Sequence, residues 1–148
     1  MTILVSISIL ALLILVHEAG HFAAARLQGI HASRFSLGFG PAIWRYQGSE
    51  TEYAIRALPL GGFVGFPDDD EDCPYPADDP NLLRNRPVLD RAVVMVAGVL
   101  ANLVFAYLVL LVQTGVVGMS LPPTYLPGIT LPQIVADGPA AVAGFASQ

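Results

Sequence analysis

His17-Glu18-Ala19-Gly20-His21 sets two imidazoles four residues apart with a carboxylate next to the first. On a helix, residues i and i+4 share a face, so both rings can reach one metal ion while Glu18 stands beside them. Imidazole nitrogen is a common zinc donor, and a neighbouring carboxylate can take the proton of a water that attacks a carbonyl. The chemistry is therefore metal-assisted hydrolysis. A catalytic zinc site needs three protein ligands, and this pattern supplies two. Asp90, in Leu89-Asp90-Arg91, offers a carboxylate, but it reads better as a helix-start acid paired with a nearby Arg. His31 lies beyond the pattern and reads as a loop histidine. Asn102 follows Gly98 by four residues, so the two share a helix face. An Asn there can hydrogen-bond a neighbouring helix or a substrate backbone, and Gly98 permits close approach.

The elements that must carry these residues are apolar. Residues 3–16 are broken only by Ser6 and Ser8, and the first ordinary charge after the His-Glu pattern is Arg26. Residues 3–25 number 23, against the ~20 needed to span a bilayer. A secretory signal peptide fits poorly, because no basic region precedes the run and it ends in His-Glu rather than a small-residue cleavage site. An ionisable residue at bilayer depth costs ~2.5–3.5 kcal/mol and is usually functional. A second span is predicted from Ala92 to about Val117, with Asn102 and Gln113 its strongly polar side chains. Pro87 and Asp90 suit its start.

Composition agrees. The chain has 148 residues, 54% hydrophobic and 13% charged, about half the charge of an ordinary soluble domain. That excludes a fully solvated globule and, for most of the length, disorder. Seven of the twelve acids lie in residues 68–79, and all seven bases are Arg. No basic patch suited to nucleic acid is present. Every Arg falls at or between the two spans, which predicts a cytoplasmic, or organelle-equivalent, connector with both chain ends on the opposite side. The single cysteine, Cys73, excludes an intrachain disulfide framework.

The connector changes period. Phe35, Leu37 and Phe39 alternate with Ser36, Gly38 and Gly40; residues 43–46 and 52–58 read as strands about a Gln47-Gly48-Ser49 turn. Leu60-Gly61-Gly62-Phe63-Val64 is Gly-rich and apolar. A short β-hairpin or meander is expected, its aromatics and arginines suited to a membrane interface. Residues 68–81 read as a solvated, mobile loop; a calcium site there lacks the spaced ligand pattern. The tail, from Leu131, fits a strand, a turn and the start of a helix, the opening of a domain continued elsewhere.

Four segments together carry a resemblance to a known family: His17-Glu18-Ala19-Gly20-His21 in a first span, Phe35-Ser36-Leu37-Gly38-Phe39-Gly40-Pro41, the stretch from Tyr53 through Pro59-Leu60-Gly61-Gly62-Phe63-Val64, and Ala97-Gly98-Val99-Leu100-Ala101-Asn102. The chain resembles the N-terminal part of site-2 proteases, the intramembrane zinc metalloproteases that include the bacterial regulators of sigma-E proteolysis. Many relatives have Pro at the position of Val99. The resemblance implies a membrane α-helical fold: a first transmembrane helix (1–27), a membrane-associated β-hairpin region (28–66), an acidic Pro-rich loop (67–86), a second transmembrane helix (87–118), and a linker with the truncated start of a PDZ-like domain (119–148). It implies that His17 and His21 bind Zn2+, that Glu18 is the catalytic base, and that Gly38, Phe39, Gly40 and Asn102 contact substrate. The partners so implied are the lipid bilayer and single-span membrane proteins, anti-sigma factors among them, in a bacterial inner membrane or a plastid membrane. The family's third ligand is an Asp in a Leu-Asp-Gly motif on a later helix, absent here, so a fragment inactive on its own is expected. Two other readings stand beside this one: a non-catalytic membrane scaffold that keeps the fold, and a membrane-anchored metallopeptidase with an exposed site.

Overall fold

The computed structural model describes residues 2–70, 72–118 and 138–144. Two helices dominate it, α1 (Thr2–Leu27) and α2 (Val88–Val117). At 1.5 Å per residue they run about 39 and 45 Å, enough to cross a hydrocarbon layer of about 30 Å. Both are long and apolar enough to cross a membrane. The two serines near the start of α1 turn inward on its own backbone: Ser6 Oγ donates to the Thr2 carbonyl and Ser8 Oγ to the Leu4 carbonyl.

The end of α1 is sharply defined. Gly29, at φ 71°, takes the left-handed conformation that a side chain disfavours. The Ile30 amide then donates back to the Ala25 carbonyl at 2.9 Å and the Gly29 amide to Arg26 at 3.1 Å, the two bonds of a Schellman cap. Ile30 and Ala25 are fully buried and pack with Val94 of α2, so the cap also joins the two helices.

Two long strands follow, β1 (Arg34–Gln47) and β2 (Glu52–Gly65), joined by a turn closed by a 2.9 Å bond from the Gly48 amide to the Thr51 carbonyl. Residues 44–47 pair antiparallel with 52–55, in the register Trp44 to Ile55 and Gln47 to Glu52. This is the expected hairpin. Each strand also bends, because Gly38, Gly40 and Gly61 hold φ of 89°, 83° and 117°. The bends fold the strands back, so that residues 34–37 lie parallel to 52–55 and antiparallel to 62–65. Four short segments result, in the order 44–47, 52–55, 34–37, 62–65. Phe22 of α1 meets Phe35 and Tyr53 edge-on at 5.3 and 6.0 Å, fastening helix to sheet.

The acidic stretch is in part solvated, as its composition suggests, with Asp69, Asp72 and Asp78 exposed, and it is also tied to the rest of the chain. Arg34 pairs with Asp70, the Arg84 amide donates to Asp68 at 2.6 Å, and the His31 ring stacks on Tyr75 with centroids 3.8 Å apart. Leu82 is fully buried beneath it. Asp68, Asp70 and Asp79 lie among groups that hold the loop down, and His31 is one of its fasteners rather than an ordinary loop residue. Short 3-10 turns, Pro67–Asp69 and Leu83–Asn85, bracket the stretch.

Among the described residues beyond α2, Pro139–Val142 makes one helical turn in a second unit. The strand expected around Ile134 lies outside the described residues.

Candidate metal centre

The helical period does to the His-Glu pattern what the spacing requires. His17 Nε2 and His21 Nε2 face each other at 3.1 Å, with the rings edge-on at 84°. Two imidazole nitrogens on one tetrahedral zinc, each about 2.05 Å from it, stand about 3.3 Å apart. The pair thus fits one metal ion with almost no rearrangement. Both side chains are half-buried against α2.

The second helix supplies the space and an acceptor. His21 Nδ1 lies 2.6 Å from the Val94 carbonyl oxygen. A carbonyl only accepts, so the Nδ1 proton of His21 is donated to it and Nε2 keeps its lone pair for a metal. The contact exists because residue 98 is glycine. A Cβ there would stand 2.8 Å from both His21 Cε1 and His17 Cε1. The helices also touch at Gly20, where a Cβ would lie 2.6 Å from the Ala97 carbonyl oxygen and from Ala101 Cβ. Small residues at 20, 97, 98 and 101 let the backbones approach closely.

Glu18 opens onto a cleft of about 350 Å³ beside the ligand pair. Its polar wall is His17, Glu18 and Asn102; Leu10 and Ile14 form an apolar side, and Gly61 and Gly62 of β2 close it. A Cβ at Gly62 would come within 2.8 Å of Glu18 Cγ. The bare backbone of β2 therefore runs directly past the carboxylate. Asn102 reaches the ligands from α2, its Nδ2 3.5 Å from His17 Nδ1.

Of the residues singled out from sequence, His17, Glu18, His21 and Asn102 come together. Gly38, Phe39 and Gly40 do not line the cleft. Gly38 is buried, with a Cβ position 2.5 Å from the Leu58 carbonyl oxygen, and Gly40 is exposed. They reach the cleft only indirectly, through the Phe39 ring, which packs against Gly61. Asp90 pairs with Arg86 at 3.8 Å at the start of α2. Among the described residues, no group of three or more His, Cys, Asp or Glu gathers around one point. Sequence reasoning missed Gly61 and Gly62 as site residues, although consecutive glycines in an apolar strand mark a place where something approaches the backbone. It also missed Val94, whose contribution is a carbonyl and leaves no mark in the sequence.

Facing ligand nitrogens, an adjacent carboxylate and a strand edge, set between two apolar helices, have the arrangement of a metallopeptidase centre. Comparison with known proteins agrees. Residues 5–145 match the model of peptidase family M50, and the chain belongs to that family. It is 64% identical over 137 residues to the candidate zinc metalloprotease all3971 of Nostoc sp., covering 93% of this chain and 37% of that protein. It is 50% identical over 133 residues to the membrane metalloprotease ARASP, chloroplastic, of Arabidopsis thaliana, covering 90% of this chain and 30% of that one. Protease RseP of Yersinia pestis is 44% identical over 98 residues, covering 66% of this chain and 22% of its own length. The chain thus spans well under half the length of these relatives.

Proposed function

We propose that the chain is the N-terminal part of an intramembrane zinc metalloendopeptidase that cleaves single-span membrane proteins. The observation that carries this reading is the 3.1 Å approach of His17 Nε2 to His21 Nε2 on a membrane-length apolar helix, with Glu18 at the adjoining cleft. His17 and His21 hold zinc, and a third ligand comes from polypeptide outside this sequence, consistent with the share of the relatives that it covers. Zinc, the metal in the names of the cyanobacterial relatives, supplies Lewis-acid polarisation at the reaction centre.

The other steps belong to side chains and backbone. Glu18 takes the proton of the attacking water and delivers it to the departing amide nitrogen. Helical substrate has its peptide bonds shielded, so cleavage needs an extended segment. Residues 61–65 offer a backbone edge beside Glu18 to which such a segment can add as a strand. Gly38 and Gly40 bend β1 and, through Phe39, set Gly61, which is how they serve substrate presentation; Arg56 braces the same bend.

The exposed apolar surfaces of α1 and α2, such as Leu4, Leu103 and Leu110, face lipid. The seven arginines support a connector on the cytoplasmic or stromal side of a bacterial inner or plastid membrane. Glu18 lies eight residues, or about 12 Å of helix rise, from Arg26, so cleavage occurs within the membrane near that interface. Anti-sigma factors are substrates of the right kind.

The test is made on the full-length protein. Glu18→Gln should bind zinc at wild-type stoichiometry and fail to cleave a single-span reporter in proteoliposomes. Cleavage by that variant, or a wild-type protein that binds no metal, would overturn the reading.

A further inference from the structure

The His17 side of the ligand pair contains an imbalance that His21 does not. With a metal at the point that His17 Nε2 shares with His21 Nε2, the proton of a neutral His17 ring sits on Nδ1. Facing that nitrogen at 3.5 Å is Nδ2 of Asn102, which is itself a donor. The other end of the same carboxamide, Asn102 Oδ1, is buried and has no hydrogen-bond partner. In that metal-bound tautomer a donor faces a donor, while the buried acceptor Oδ1 goes unused. A half-turn of the carboxamide exchanges the two ends without changing its shape and brings Oδ1 to the Nδ1 proton of His17.

We propose that Asn102 is a positioning residue for His17: its Oδ1 accepts the Nδ1 proton, fixes the ring's tautomer and orientation, and so presents the Nε2 lone pair to the metal. The inference rests on the reading of His17 as a zinc ligand. The layout of α2 supports it independently. Val94, Gly98 and Asn102 are spaced by four and lie on one face. The Val94 carbonyl already does for His21 what Asn102 does here for His17, and Gly98 between them leaves room for both rings. The two supports lie two turns apart on α2, as the two ligands lie one turn apart on α1. Asn102 acts through His17 and contacts no reacting atom, which departs from the substrate-contact role expected of it from sequence.

Zinc affinity of the full-length protein in detergent, measured by competition with a chelator of known affinity, provides the test. Loss of an outer-shell partner of a metal-bound histidine weakens binding about 10- to 100-fold. Asn102→Leu should show that loss, and Asn102→Asp, which keeps an acceptor oxygen in place, should restore near-wild-type affinity. Unchanged zinc affinity in Asn102→Leu, with a raised KM for the reporter, would overturn the proposal in favour of substrate contact. His17→Ala separates the two levels of inference. If it binds zinc as the wild type does, the metal-centre reading fails; if it loses zinc while Asn102→Leu keeps it, only the role of Asn102 fails. Should Asn102→Leu not fold, histidine-selective 15N spectra of the wild-type zinc form decide the matter. A proton on Nδ1 of His17 is expected, and its absence would overturn the proposal.

Discussion

The imidazole of His21 fills the space that a side chain at residue 98 would take, with His21 Cε1 2.8 Å from where a Cβ on Gly98 would stand. Histidine and glycine lie on different helices, so the packing of α1 on α2 and the geometry of the candidate metal centre are one arrangement. Gly98→Ala should push the ring from the Val94 carbonyl, lower zinc affinity, and destabilise the helix pair by about 1–3 kcal/mol, as overpacking does. Chelator competition and thermal melting of the full-length protein measure the two effects; wild-type zinc affinity would refute the prediction.

Gly62 is the corresponding point on the sheet, but it faces Glu18 rather than a histidine. A Cβ there would lie 2.8 Å from Glu18 Cγ and 2.9 Å from the Ser36 carbonyl oxygen. Gly62→Val should therefore displace the carboxylate while leaving the ligands alone. Turnover should fall on the order of 10- to 100-fold, the usual penalty for a misplacement of about 1 Å, with zinc content unchanged. Concurrent loss of zinc would show that the sheet supports the ligands too.

Arg56 braces the bend that separates the two halves of β1. Its Nε donates to Ser36 Oγ and its Nη1 to the Gly40 carbonyl, each at 2.8 Å, and the guanidinium lies 5.4 Å from the Phe63 ring centre. Hydrogen bonds from a charged donor contribute about 1.5–3 kcal/mol. Arg56→Met should loosen the bend and raise KM for a membrane-protein reporter by about tenfold, the equivalent of 1.4 kcal/mol, with zinc affinity intact. An unchanged KM would remove the bend from substrate presentation.

Glu50 gives a pH signature to the turn between β1 and β2. The hydrogen bond from Arg26, and then its charge, hold the Glu50 carboxyl below its ordinary value of 4.5. A folded-state pKa below the unfolded one stabilises fully above the unfolded value, and the contribution is lost as pH falls through the folded value. Hydrogen exchange at residues 48–51 should be slower in wild type than in Glu50→Gln at neutral pH, and the two should converge as pH falls through the lowered carboxyl value. The difference should be small, because the pair is exposed to solvent. Identical exchange at pH 7 would show that the tether does not restrain the turn.

What the sequence disclosed follows from how local each feature is. His17, Glu18 and His21 were legible because one helical turn brings them together with no help from the rest of the chain. Asn102 was legible as a polar residue one turn from a glycine, but which face of α2 meets α1 depends on packing, so its place beside His17 was not. The approach of Gly62 to Glu18 depends on bends at Gly38, Gly40 and Gly61 that turn a simple hairpin into four paired segments. The acidic loop was legible as an exposed segment but not in its tethers, because Tyr75, Leu82, His31 and Arg34, scattered through the surrounding sequence, decide its contacts.

Val94 lends its carbonyl to a ligand on another helix, and this has a consequence for assembly. Helices of this length and hydrophobicity can insert one at a time and associate afterwards. Before they associate, His21 has no acceptor to choose between its nitrogens, and its ring is free to turn. Docking of α2 removes that freedom and leaves a preorganised pair of donors. Order in the His17–His21 pair is thereby built into the folding order: a newly inserted chain lacks it until the two helices have found each other.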